Sequence, residues 1–339
     1  MSEQPACKRA KTERKVIGTH SGSFHCDEAL AVYLLRLTKT YEKADVVRTR
    51  DPAKLAPCHI VVDVGGVYDV ESQRFDHHQR GFQEVFGEGK HTTIKLSSAG
   101  LVYKHFGQEI IANRLQLPIL HSDVQTLFLK LYSTFIEPID AIDNGISQFD
   151  GEPRYKVRTD LSSRVGWLNP TWRDKVDDEN LDQRFEKASN LAGEEFVNRL
   201  DFYAHSWLPA RSIVEEAIKQ RHQIHTTGKI ILFESFVPWK EHLFDLEEEL
   251  SISSDDKPLY VIYPDENANN WRIQAVPVSP ESFQNRKSLP EAWQGLRDEE
   301  LSAKTCIPGC IFVHASGFIG GNQTKEGVLE MAFKALAID

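Results

Sequence analysis

The chain has no apolar run long enough to span a bilayer. Its start, Met1-Ser2-Glu3-Gln4-Pro5, leads into charge rather than into the apolar stretch of a secretory signal. Neither a membrane partner nor export is expected. Cysteine is scarce: Cys7, Cys26, Cys58, Cys306 and Cys310 make an odd and widely scattered set. That pattern points to reduced thiols inside a cell rather than to a disulfide framework. Cys306 and Cys310 enclose Ile307, Pro308 and Gly309, but no second pair completes a zinc site. Excess basic charge is missing too, with 40 Lys and Arg against 50 Asp and Glu and a net charge of -10. A protein held on nucleic acid by bulk charge is thereby excluded, although an enzyme acting on nucleic acid is not. Part of the acidity fits metal ligands, whose charge bound cations would neutralise. There is no internal repeat and no low-complexity tract beyond the N-terminal arm.

What is present is a globular composition, 40% hydrophobic and 27% charged over 339 residues, which suits one large domain or two ordinary ones. Residues 1–15 read as a disordered basic arm, with Lys8-Arg9-Ala10-Lys11 and Arg14-Lys15 as a nuclear import signal or a solvated tail. Glu3 and Glu13 count against a mitochondrial presequence. The expected location is intracellular, in nucleus and/or cytoplasm, with the mitochondrion left open. Residues 16–185 alternate strands (15–19, 45–49, 59–64) with helices (27–37, 97–106, 122–144), the order of an α/β protein with a mostly parallel sheet and helices on both faces. Residues 186–227 read as a helical connector broken near Pro209. Residues 228–339 read as a smaller α/β domain, with strands at 229–233 and 310–314, a hairpin from 259 to 276, and a last helix over 326–336.

The chemistry-bearing residues fall in four clusters. His20-Ser-Gly-Ser-Phe-His25-Cys-Asp27 directly follows the first strand, and Asp63-Val-Gly-Gly ends another. Open α/β sheets place their sites at such carboxyl ends. Asp76-His77-His78 puts imidazoles and a carboxylate together, and Asp140 and Asp143 share a helical face before Asn144-Gly145. Chance decoration explains four such clusters poorly. Mixed imidazole and carboxylate donors suit Mn²⁺ or a similar transition metal better than Ca²⁺ or structural zinc. Glycines in Gly317-Phe318-Ile319-Gly320-Gly321-Asn322, ahead of a helix, would leave backbone N–H groups free for an anion. Arg164 and Arg211 are further candidate phosphate partners. Trp167, Trp172, Trp207, Trp239, Trp271 and Trp293 could stack bases, but most are expected to be packing and at most one or two to contact bases.

The Asp76-His77-His78 triplet, between a His…His-x-Asp loop, a strand-end Asp and a later Asp, resembles the DHH phosphoesterase superfamily. Within it, Thr19–Ala31, Phe75–Phe82, Asp140–Gly145, Leu168–Trp172 and His314–Gly321 are similar to the melanocyte-proliferating-gene (Myg) exonuclease branch, and the likeness runs from about residue 16 to the end. The resemblance implies a DHH-type catalytic domain at 16–185 and a substrate-binding domain at 228–339. It implies His20, His25, Asp27, Asp63, His77 and Asp143 as ligands of two Mn²⁺ ions, with Mg²⁺ or Co²⁺ as alternatives and Asp63 bridging. Asp76 would orient His77, and His78 would contact the scissile phosphate or the leaving oxygen. His314, Ser316, Gly317, Gly320, Gly321 and Asn322 would grip substrate, together with Arg164 and Arg211. The superfamily usually has an aspartate where His25 stands and often a histidine where Asn322 stands, so metal preference and phosphate grip depart from the pattern there. The implied activity is 3′-to-5′ exonucleolytic hydrolysis of single-stranded RNA. The alternatives are a hydrolase of small phosphate compounds, such as a dinucleotide or pyrophosphate, and a non-catalytic metal-bound regulatory protein. A homo-oligomer is left open.

Overall fold

The computed structural model describes residues 14–175, 177–266 and 268–338. The N-terminal arm lies outside them apart from Arg14 and Lys15. The chain forms two units that meet between Phe202 and Tyr203, inside the stretch read from sequence as a connector.

The first unit runs β1 (Val16–Thr19), α1 (Cys26–Arg36), β2 (Asp45–Arg48), α2 (Pro52–Leu55), β3 (Ile60–Val62), β4 (Tyr68–Asp69), β5 (Arg74–Phe75), α3 (Ser98–Leu115), α4 (Ser122–Leu131), α5 (Glu137–Asp143), α6 (Leu161–Gly166) and α7 (Asp178–Phe202). Its sheet has the order β2-β1-β3-β5-β4. β1 pairs in parallel with β2 and β3, and β3 with β5, while the edge strand β4 runs antiparallel to β5. All three residues of β3 are buried, as a strand covered on both faces requires. Leu55, Cys58 and Val61 form the cluster on one face. By strand alternation Ile60 and Val62 point to the other, where α1 packs against α3 and α7. Because β1, β3 and β5 are parallel, the residues that follow them emerge at one edge of the sheet.

The helix expected over 122–144 is interrupted by a π-helical turn, Tyr132–Ile136. Pro138 explains the interruption: it has no N–H to offer the preceding turn, and one wider turn absorbs the misfit. Pro209 is likewise preceded by a π-turn, Tyr203–Trp207.

The second unit runs α8 (Leu208–Ile224), β6 (Ile230–Leu232), α9 (Trp239–Glu249), β7 (Tyr260–Asp265), β8 (Asn270–Ala275), α10 (Asp298–Thr305), β9 (Cys310–Val313), β10 (Ile319–Asn322) and α11 (Lys325–Ala337). Its sheet, β6-β7-β8-β10-β9, is parallel only between β6 and β7. Ile230, Ile262 and Ile273 pack with Val328 and Met331 of α11, and Ile231 and Val261 with Val214 of α8 and Leu243 of α9. The sheet is thus covered on both faces. β7 and β8 form the expected hairpin.

Candidate metal centre

β1 delivers His20 to the sheet edge, and a turn through Gly22 (φ 92°) brings the chain back to His25, the residue ahead of α1. This loop is tied down from outside. The Arg48 guanidinium donates to the Gly22 carbonyl at 2.7 Å and lies over the rings of Phe24 and Phe185. Asn169 accepts from the Phe24 N–H at 3.0 Å and donates to its carbonyl at 2.8 Å. β3 ends at Asp63, whose φ of 56° lies in the left-handed region, where aspartate is tolerated better than most side chains. β5 leads into Asp76-His77-His78, and the last residue of α5 is Asp143.

The distances make one connected cluster. His20 Nε2 lies 3.0 Å from Glu28 Oε1 and 3.3 Å from Asp63 Oδ2. The other Asp63 oxygen, Oδ1, faces His77 Nδ1 at 3.5 Å, His78 Nδ1 at 3.4 Å and the Ser98 hydroxyl at 3.2 Å. His77 Nε2 reaches Asp143 Oδ2 at 3.0 Å. Three groups have ligand atoms mutually within 4.8 Å: His20, His25, Glu28 and Asp63; Asp63, Asp76, His77 and His78; and Asp27, His77 and Asp143. Asp63 belongs to two of them and His77 to two. They border a cavity of about 570 Å³.

The electrostatics ask for cations. Both oxygens of Asp27 are buried and meet no hydrogen-bond donor. Burial, then the charges of Asp63 and Asp143, hold its carboxyl well above the usual range. An unpartnered buried carboxylate oxygen costs on the order of 1–3 kcal/mol or more, a cost that a cation between Asp27 and Asp143 would offset. Burial would lower the His20 pKa, but Asp63 and Glu28 outweigh it and push it up to about 10. Asp143 is held below the usual carboxylate range because His77 outweighs its burial. The donor set therefore fits divalent metal ions.

His20, His25, Asp27, Asp63, His77 and Asp143 thus come together with Asp76 and His78, but Asp76 does not hold His77. It accepts from His78 Nδ1 at 2.7 Å and from the Gly66 N–H at 2.6 Å. Both nitrogens of His77 are already engaged, by Ser98 and Asp143. Asp140, paired with Asp143 in the sequence, turns away and accepts from Ser97 N–H, the Ser97 hydroxyl and Gly100 N–H. Sequence reasoning missed Glu28, Ser98 and Arg50, the last 3.2 Å from His20 Nδ1. Glu28 carries a second role that disguised it, since its carboxylate accepts the His25 N–H, as an acid at the third helical position commonly does.

The expected substrate grip looks different in detail. Arg164 pairs with Glu195 and Arg211 with Glu249. Gly320 and Gly321 lie within β10, paired with β8 on one side and β9 on the other. An interior strand engages its backbone N–H groups in the ladder, so they are not free for an anion. Gly317 (φ 67°) donates its N–H to the His314 carbonyl, and the His314 ring meets the Ser316 hydroxyl at 2.9 Å. The Asn322 side chain is fully buried, bonding the Pro308 carbonyl and the Thr324 N–H at the start of α11. Of the six tryptophans, Trp207, Trp239 and Trp293 are core, while Trp167 and Trp172 stand exposed.

Fold and site together define an α/β protein with a histidine–carboxylate centre suited to divalent cations. The family model described as "Uncharacterised protein family (UPF0160)", the MYG1 exonuclease model, matches residues 16–336. The chain is 54% identical to the MYG1 exonuclease of Homo sapiens over 98% of its own length and 89% of that protein's. It is 49% identical to the MYG1 protein of Dictyostelium discoideum (94% and 96% covered) and 45% identical to that of Saccharomyces cerevisiae (97% and 99%). The chain belongs to the MYG1 exonuclease family.

Proposed function

We propose that this protein is a DHH-type, metal-dependent phosphodiesterase that shortens single-stranded RNA from its 3′ end, using two divalent ions, with Mn²⁺ the preferred species. The observation that carries the two-ion reading is the orientation of Asp63, whose two oxygens face His20 on one side and His77 on the other. His20, His25, Glu28 and Asp63 would hold one ion, and Asp27, Asp63, His77 and Asp143 the other. Bound there, the ions would lower the pKa of a water and offset the charge that builds on the phosphoryl oxygens. His78 is 62% exposed at its side chain and held through Nδ1 by Asp76, which leaves its Nε2 open to meet the reacting phosphate group. Burial would raise Asp76, but hydrogen bonds from His78 and the Gly66 N–H outweigh it and keep it an anion. Lys95, in the cavity wall, would supply a further donor to a nucleotide phosphate. The relatives named exonuclease support a nucleic-acid substrate. RNA, the polarity and the working metal are the proposal's own content.

The deciding experiment is a time course on end-labelled single-stranded RNA with Mn²⁺, Mg²⁺ or Co²⁺, comparing the native protein with His77→Ala. Stepwise shortening from one end that the variant lacks is the expected result. RNA left intact while a dinucleotide or pyrophosphate is hydrolysed would move the assignment to small phosphate compounds.

A further inference from the structure

One surface of the first unit is unlike the rest of the chain. Residues 145–159, immediately after the candidate ligand Asp143 and its neighbour Asn144, are exposed throughout. Phe149, Tyr155, Val157, Trp167 and Trp172 all stand in solvent, with Tyr155 at 77% and Trp172 at 88% exposure. Scattered exposed apolar side chains are ordinary, but so many within one short stretch of chain, three of them around a single cleft, point to an interaction site. Its charge is predominantly positive. Residues 149–173 hold Arg154, Lys156, Arg158, Arg164 and Arg173 against Asp150, Glu152 and Asp160, in a protein of net charge -10. Asp160 itself is engaged, accepting the Ser163 N–H at the start of α6. Cations and apolar side chains alternate through Arg154-Tyr155-Lys156-Val157-Arg158, and the Arg173 guanidinium sits 4.7 Å from the Trp172 ring centre.

The surface is physically joined to the metal centre. A cleft of about 710 Å³ has Phe149, Tyr155, Arg154, Lys156 and Arg158 in its lining, with Glu152 as its one acid and Ser163 at its edge. The next residue of α6 on one side, Ser162, together with Gly166, lines the metal cavity. One short helix is therefore a wall of both. At its far end Asn169, between Trp167 and Trp172, clamps the backbone of Phe24, the residue before His25.

We propose that residues 149–173 are the path by which single-stranded nucleic acid reaches the metal centre, with Tyr155, Trp167 and Trp172 stacking on bases and Arg154, Lys156 and Arg158 against phosphates. The proposal rests on the nuclease reading above. Outward aromatic faces interleaved with cations suit unstacked bases on a charged backbone. A duplex keeps its base faces covered, and an acidic peptide would use the cations alone.

The test compares kcat/KM for a ten-nucleotide single-stranded RNA with that for a dinucleotide, using the full chain with Mn²⁺. The variants are Trp167→Ala/Trp172→Ala and Arg154→Ser/Lys156→Ser/Arg158→Ser, with melting curves to verify folding. The preference for the longer substrate should fall roughly tenfold or more in each, since one lost stack is worth about fivefold to a hundredfold. The triple variant should also show a flatter salt dependence, its logarithmic slope lower by about 2 for three lost phosphate contacts. A native preference for the ten-mer that neither variant moves would overturn the path and leave the nuclease reading standing. A native protein that hydrolyses the dinucleotide but not the ten-mer would overturn both. Inhibition by polyglutamate that the triple variant loses, with the aromatic variant indistinguishable from native on RNA, would assign the surface to an acidic protein partner and overturn the path.

Discussion

Asp63 is held by geometry as well as chemistry. Its positive φ turns the chain at the end of β3 so that one carboxylate faces both histidine groups. Asparagine tolerates the same conformation and fills the same volume. Asp63→Asn should therefore fold with a melting temperature near the native value yet lose activity by about a hundredfold or more, since even residues behind a metal ligand are worth ten- to a hundredfold. Activity assays with melting curves on the same preparation check this, and an active Asp63→Asn would sink the bridging role. Ser98, whose hydroxyl lies between Asp63 Oδ1 and His77 Nδ1, is such a residue behind the ligands. Ser98→Ala should lower kcat by roughly ten- to a hundredfold and weaken Mn²⁺ activation, read from the metal concentration at half activity. The candidate ligands were legible because histidine and aspartate at strand ends have few other reasons to gather. Glu28 and Ser98 were not, because an acid in a first helical turn and a serine at a helix start already have routine capping explanations.

At the level of elements, the close packing of α7 on α1 and of α3 on α5 depends on missing side chains. A Cβ on Gly193 of α7 would fall 1.9 Å from Tyr33 Cγ on α1, and one on Gly100 would fall 2.3 Å from Asp140 Oδ2. Gly193→Ala should destabilise the fold by about 1–3 kcal/mol or more through overpacking, measurable by urea denaturation. Asp140 locks α5 to the start of α3. Burial raises its carboxyl to about 7, against the pull of the donors from Ser97, Tyr132 and Gly100. The folded state then holds a proton that the unfolded chain has lost, so this residue's contribution falls as pH rises from about 4 to about 7. Asp140→Asn should remove that part of the slope, on the order of 4 kcal/mol at most, seen by comparing melts at pH 5 and pH 8. A slope unchanged by the substitution would refute the assignment. The strands β1, β2, β3, β6, β7, β8 and β9 were readable from their apolar patterns, as were the apolar helices. β4 and β5 are two residues each, too short to show a period, and β10 hid behind its glycines. The charged α9 lies between strands and announces itself only through Trp239, Leu243 and Leu246.

For the whole molecule, the chain divides between Phe202 and Tyr203, within the helical and charged residues 186–227. The charged surface of residues 186–227 reads as a linker's, whereas their apolar stripe reaches into cores: Ala192 and Phe196 in the first unit, Val214 and Ile218 in the second. Among the described residues no helix is long and apolar enough to cross a membrane. Because the ligands belong to the folded first unit, Mn²⁺ should raise its melting temperature. A metal concentration a hundredfold above its dissociation constant adds about 2.7 kcal/mol, a rise of roughly 5–10 °C for a unit of this size. Chelation should reverse the rise, and Asp63→Asn should show little of it. A native protein whose melting ignores Mn²⁺ would count against the centre.

The packing of α7 on α1 sets a timetable for synthesis. The Ser189 hydroxyl reaches the Ala29 carbonyl across 160 residues of sequence, and Phe185 supports the arginine that pins the His20–Asp27 loop. At roughly 5–20 residues per second, some ten to thirty-five seconds separate the emergence of His25 from that of Phe202. Over the last part of that interval, roughly three to twelve seconds between the emergence of Asp143 and that of Phe202, the nascent chain carries all of the candidate ligands but not the complete helix that fixes their loop, so secure metal loading would have to wait for α7.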